Sequence, residues 1–148
     1  MPSALSAQEQ EWITLQNQYD SYEKLACAIK LVCISVVAFM LLLHASSLLV
    51  AAIIAVFWLQ EAVWKTFQGR IEARLLILEA TFSSDGSFPQ QDVSPMQFNL
   101  QWAATRPGIL GLVAEYGKSA LRPTVALHYV LLLLVVMAAY LQLFTASI

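Results

Sequence analysis

Between Lys30 and Glu61 the chain carries no formal charge, and apolar character extends outward to Leu25 on one side and Trp64 on the other. A helix needs about 20 residues to cross the hydrocarbon of a bilayer, within a range of about 17 to 25. The forty residues from Leu25 to Trp64 are too many for one crossing. The run accommodates two spans, about 25–43 and 48–64, if the chain reverses at His44-Ala45-Ser46-Ser47, the polar cluster near its middle. A second apolar segment, 124–144, needs no division, and Pro123 stands in its first turn, where a missing N–H is harmless. The expected fold is an all-α membrane protein with three transmembrane helices: a tight helical hairpin and a C-terminal span. The 59% hydrophobic content and mean hydropathy of +0.65 agree with that class.

The cations test the division. Lys24, Lys30, Lys65, Arg70, Arg74, Arg106, Lys118 and Arg122 are all the Lys and Arg of the chain. With a hairpin they fall on or at the rim of one side, whereas a single long span would split them. Positive charge concentrates on the cytoplasmic side, so the expected topology is an inner (cell) membrane protein with a cytoplasmic N-terminus and an outer C-terminus. The first residues lack a basic n-region and an apolar h-region, so no cleaved signal peptide is expected.

Both legs of the hairpin continue past the bilayer. Ser6 and Glu9 form an S-x-x-E capping signature, after which Trp12, Leu15, Tyr19, Tyr22, Ala26, Ile29, Cys33 and Val36 recur three and four apart. Trp64, Phe67, Ile71, Leu75, Leu78 and Phe82 do the same on the second leg. Matching seams predict paired, coiled-coil-like cytoplasmic extensions, with 1–82 as one hairpin unit. Folding about the tip pairs residues whose numbers sum to about 91 and sets Lys30 opposite Glu61, the only charges within the apolar legs. We read them as a structural ion pair, not an ion relay, because the legs supply no polar groups spaced through the membrane depth. The same arithmetic brings Asp20 and Glu23 toward Arg70 and Arg74, and Glu61 also precedes Lys65 at the favourable i,i+4 spacing.

Residues 83–122 form the expected cytoplasmic linker and amphipathic interfacial segments. The stretch 83–95 has linker composition. Met96, Phe98, Leu100 and Trp102 alternate with polar residues, the period of a strand, yet Ser94-Pro95 signals a helix start and no second strand is in view. A short helix at the membrane surface is favoured, with a strand added to a partner's sheet edge as the alternative. Past Arg106-Pro107-Gly108, residues 109–121 read as a second amphipathic helix leading into the unit 123–148.

Chemistry finds little support. The net charge of −2 offers no basic field for nucleic acid. Cys27 and Cys33, six apart, point to different faces and make neither a disulfide framework nor a zinc site. His44 and His128 are separated by most of the bilayer. The serines lack a triad, and the glycines lack a phosphate-loop context. No catalytic, cofactor-binding or metal-ligating residue, no cofactor and no small-molecule substrate is expected, and the chain is not read as an enzyme.

Two coupled spans with helical extensions resemble, in layout and not through any residue motif, the small two-span effector modules of bacterial defence systems. The resemblance implies pore formation and supplies no site residue. A pore needs a polar stripe on at least one span, and these spans are uniformly apolar between their ends. The expected role is therefore a non-catalytic adaptor or accessory subunit of a membrane complex, with an oligomeric pore or channel as the alternative. Its partners would be the lipid bilayer and another protein or further copies of itself. Trp12, Tyr19, Phe67, Phe98 and Trp102, all outside the bilayer, are the candidate partner-binding residues, since aromatic side chains commonly anchor interfaces.

Overall fold

The computed structural model describes residues 6–82 and 94–146. Five helices follow in order: α1 Ala7–Leu42, α2 Ser47–Phe82, α3 Phe98–Thr105, α4 Ile109–Ala120 and α5 Pro123–Ala146. No strand occurs among the described residues, and α1, α2 and α5 are long and apolar enough to cross a membrane. The chain is an all-α membrane protein. The linker reading of 83–95 falls mostly outside the described residues.

Local chemistry sets the helix ends. Ser6 caps α1 reciprocally: its Oγ accepts from the Glu9 amide at 3.3 Å, and its own amide donates to Glu9 Oε2 at 2.7 Å. The reversal between α1 and α2 needs no glycine. His44 takes the left-handed conformation at φ 53°, its amide donates to Leu41 O, and the Ala45 amide reaches Met40 O. These two bonds form a Schellman motif, with His44 where glycine is usual. Ser46 Oγ then accepts from the Leu49 amide and starts α2. The alternating stretch at Met96 ends as α3 because a helix satisfies its own backbone, whereas a strand without a neighbour does not.

Helix α2 is the middle of the molecule and packs against α1, α4 and α5. Within the spans the three long helices meet around Cys33, Val37, Val50, Ile54, Val125, Tyr129 and Val136. Toward the charged end a second cluster, Leu15, Ile71, Leu75 and Leu78, is covered by Trp12, Tyr19, Tyr22 and Phe98. Helix α5 runs antiparallel to α2. Its Thr124 carbonyl accepts from Lys30, the Tyr129 hydroxyl meets Phe57 and Glu61, and the Tyr140 hydroxyl donates to the Ala45 carbonyl at the turn. The start of α1 and the end of α5 therefore lie at opposite ends of the bundle.

Helix α4 also runs against α2. Trp58 Nε1 donates to Ala120 O at 3.0 Å, Thr66 Oγ1 to Ser119 Oγ at 2.8 Å, and Arg70 to Glu115 at 2.8 Å. Helix α3 rests on α2 between Arg70 and Ile77. That contact lies nine to sixteen residues past Glu61, about 14 to 24 Å along the axis at 1.5 Å per residue. Helix α3 is thus a brace on the hairpin's extension.

Histidine is tolerated in the left-handed region better than most residues but still pays for its Cβ there, by about 1 to 2 kcal/mol relative to glycine. His44→Gly is expected to raise the thermal unfolding temperature in mild detergent, by an amount equivalent to about 1 kcal/mol. His44→Val is expected to lower it, because β-branching worsens the clash.

Candidate functional site

Four ionic contacts run down the bundle from the spans to the far end of the extension. The innermost centres on Glu61, whose side chain has no solvent exposure. Lys30 Nζ from α1 stands 3.0 Å from Oε1, a charge contact without hydrogen-bond alignment, and donates instead to the Thr124 carbonyl at the start of α5. The Tyr129 hydroxyl from α5 lies 2.9 Å from Oε2 and 3.2 Å from the Phe57 carbonyl. One carboxylate thus touches α1 and α5 at the same level. Tyr129 stacks on Trp58 with ring centres 5.9 Å apart, and His128 meets its edge.

Next outward, Lys65 from α2 donates to Glu23 of α1 and to Gln68, both at 2.8 Å, while the Gln68 amide also reaches Glu23. These bonds hold the Glu23 carboxyl below its ordinary pKa, the Lys65 hydrogen bond being the largest cause. Arg70 pairs with Glu115 of α4 and lies over the rings of Phe67 and Trp102. Farthest out, Arg74 and Glu11 form a buried fork: Nε to Oε1 at 2.9 Å and an Nη to Oε2 at 3.2 Å. Arg74 also donates to Gln101 of α3 and to the Ser94 carbonyl, and the Met96 amide donates to Glu11. Met96, at φ 64°, bends the backbone to present that amide. Burial pushes the Glu11 pKa upward, but the Arg74 hydrogen bond, the Met96 amide and the Arg74 charge outweigh it and leave the pKa lowered.

Two of the expected neighbourhoods are redrawn. Glu23 meets Lys65 where Arg70 and Arg74 were expected, and those arginines take Glu115 and Glu11. Folding α1 onto α2 gives the axial level of each residue, but α3 and α4 add partners that this two-helix arithmetic omits. Lys65 likewise turns to α1 and Gln68 for its hydrogen bonds.

The candidate partner-binding aromatics are largely engaged within the chain. Trp12 donates to Glu79 and, with Tyr19 and Phe98, covers the outer core cluster. Trp102 is half-buried, with Arg70 on one side and Arg106 on the other. Phe67 keeps about a third of its surface exposed. Larger exposure falls on two aliphatic residues, Leu76 at 60%, which the sequence did not single out, and Leu100 at 69%, within the alternating stretch from Met96 to Trp102. Tyr129, Trp58, Thr66 and Ser119 were also missed. A tyrosine inside an otherwise greasy span was the one available signal. Cys33 is buried and Cys27 exposed, both as free thiols. Among the described residues no group of three or more His, Cys, Asp or Glu is arranged to hold a metal.

This arrangement clamps helices together, and its energetics can be tested. Lys30→Ala is expected to destabilise the chain by about 3 to 5 kcal/mol, because it strands a buried carboxylate, whereas Lys30→Ala/Glu61→Ala should be nearly neutral. Tyr129→Phe should cost about 1 to 3 kcal/mol through the lost donor. Unfolding in detergent measures all three, and additive single effects would count against the clamp. For the outer fork the sign follows from a lowered folded-state pKa. Ionised Glu11 stabilises the fold above the ordinary carboxylate range, and that contribution is lost as pH falls through its lowered folded value. The unfolding temperature of the native chain should therefore drop with acid in that window, while Glu11→Gln should be less stable at neutral pH and flatter below it.

Comparison of the chain with protein-family models, with curated proteins and with solved structures finds no match.

Proposed function

We propose that this protein is a non-catalytic membrane adaptor or accessory subunit, with the α1–α2 extension and α3 as its partner-binding end. The observation that carries the reading is the exposure of Leu76 and Leu100, far from the spans. Leu76 lies fifteen residues past Glu61, about 22 Å along α2. The headgroup layer adds only about 5 to 8 Å to each face of the hydrocarbon, so lipid does not account for that exposure. The extensions are taken as an antiparallel coiled coil, stiff enough to hold a partner at that distance.

A pore is the competing reading. The polar groups within the spans weigh against it, since Lys30, Glu61 and Tyr129 turn toward other helices of the same chain. The outward surfaces of the spans carry large apolar side chains such as Leu31, Phe39, Val56, Leu131 and Val135. We take the membrane to be the cell (inner) membrane, with the charged end in the cytoplasm, because all eight cations lie toward that end of the chain's fold.

Purification in mild detergent followed by native mass spectrometry tests the role. The native chain is expected to bring a second protein in fixed ratio, and Leu76→Asp/Leu100→Asp to lose it with unchanged thermal unfolding. A chain that purifies alone as a ring conducting ions in planar bilayers would overturn the adaptor in favour of the pore. For orientation, reporter fusions after Ser47 and Ile148 should report the outer side and a fusion at Ser87 the cytoplasm.

A further inference from the structure

Helix α4 is amphipathic in the inverted sense. Two of its polar residues face the bundle: Ser119 is buried against Thr66, and Glu115, its one acid, pairs with Arg70. Its large apolar residues face away: Ile109 is 81% exposed, Leu110 87% and Val113 60%, with Leu121 just past the helix end at 74%. A helix at the surface of a water-soluble domain has the opposite arrangement.

The position of α4 along the bundle identifies what covers that face. Twenty residues of helix span the hydrocarbon, and twenty counted from the start of α2 at Ser47 end at Thr66. Thr66 is the residue bonded to Ser119. Ser119 therefore sits at the hydrocarbon boundary, and the Arg70–Glu115 pair, one turn farther out, sits in the headgroup layer. The charges on the outward side are of one sign. Lys118 is exposed and forms no ion pair among the described residues, whereas the Arg122 guanidinium lies beside Gly69 of α2 and Arg106, just before α4, lies over the Trp102 ring. The outward side of the C-terminal end of α4 at that depth, apolar at Leu121, with Lys118 beside it and the helix's only acid turned inward, has the chemistry of a helix end seated among anionic phospholipids.

We propose that the outward face of α4 is a lipid-binding surface. Gly117 and Leu121, near the level of Ser119, meet the upper acyl chains, and Lys118 binds the phosphates of anionic phospholipid headgroups. The surface is separate from the adaptor end at Leu76 and Leu100, so either can fail without the other.

A reporter on α4 tests this. Gly117 has open space beside it, so Gly117→Cys in a Cys27→Ser/Cys33→Ala chain accepts a bimane label without displacing a neighbour. Leu121→Cys, 74% exposed and near the level of Ser119, gives a second, independent position. The full chain is reconstituted into phosphatidylcholine vesicles containing phosphatidylglycerol, with a spin-labelled acyl chain on one lipid or the other. Spin-labelled lipid is expected to quench the bimane, more strongly when the spin label is on phosphatidylglycerol, and Lys118→Glu should remove that difference. Equal quenching by both lipids in the native background would overturn the anionic preference. Absence of quenching at both positions would overturn the surface itself. In that event, emission typical of water means that the face is solvated, and emission that changes when labelled chains are diluted with unlabelled ones means that a second copy covers it.

Discussion

A carboxylate without solvent contact inside the apolar part of a bundle imposes a condition that the rest of the chain must meet. Glu61 meets it by drawing a lysine from α1 and a tyrosine from α5 to its own level. Burying a charge without a partner costs several kcal/mol, whereas burying it with partners fixes where those partners must be. The axial positions of α1 and α5 against α2 are thus tied to one residue. Lys30 extends the tie, since its donation to the Thr124 carbonyl joins α1 to the first turn of α5. Apolar packing alone would specify these positions weakly, because leucine-rich surfaces slide past one another at little cost in a hydrocarbon solvent.

The hairpin and its ion pair were legible in the sequence because they follow from length and charge alone. Forty apolar residues exceed one crossing, and two charges placed symmetrically about the excess must face each other once the chain folds back. The arithmetic remained useful farther out. Trp12 and Glu79, which also sum to 91, are hydrogen-bonded. It failed at Arg70 and Arg74 because those side chains are claimed by α4 and α3, whose docking depends on contacts distant in sequence. The turn was legible as a place but not as a geometry. The tip holds no glycine, and the Schellman bonds form with a histidine at the left-handed position. The alternation at Met96 suggested a strand because apolar periodicity over seven residues does not separate the two structures. The contact of Phe98 with the outer cluster, which fixes the helix in place, is a tertiary fact.

The candidate interface residues show the same limit from another side. Aromatic residues outside a bilayer attract attention as anchors, but a two-helix extension has little interior of its own and uses its aromatics as cladding. Trp12, Tyr19 and Phe98 cover Leu15, Ile71, Leu75 and Leu78, none of which would otherwise be shielded. What remains most exposed on the extension is aliphatic, Leu76 and Leu100 ahead of Phe67 and Phe82. Periodicity placed Trp12, Tyr19, Ile71, Leu75 and Leu78 on the shared face of α1 and α2, and residues on that face are drawn into the outer core.

The four ionic contacts differ in exposure, and the difference bears on what the extension can do. Glu61 and the Arg74–Glu11 fork are buried, while Glu23 and Glu115 keep roughly half of their side-chain surface in solvent. Buried pairs resist separation because each partner strands the other, whereas exposed pairs contribute little and exchange readily with water or salt. The bundle is thus pinned at both ends, at Glu61 within the spans and at Arg74 beneath α3, with looser contacts between them. Arg74 is the more consequential pin for an adaptor. Its guanidinium joins α1, α2, α3 and the Ser94 carbonyl. A partner docking over α3 would bear on a surface held by one buried arginine, so its binding and the protonation of Glu11 are coupled through the same side chain.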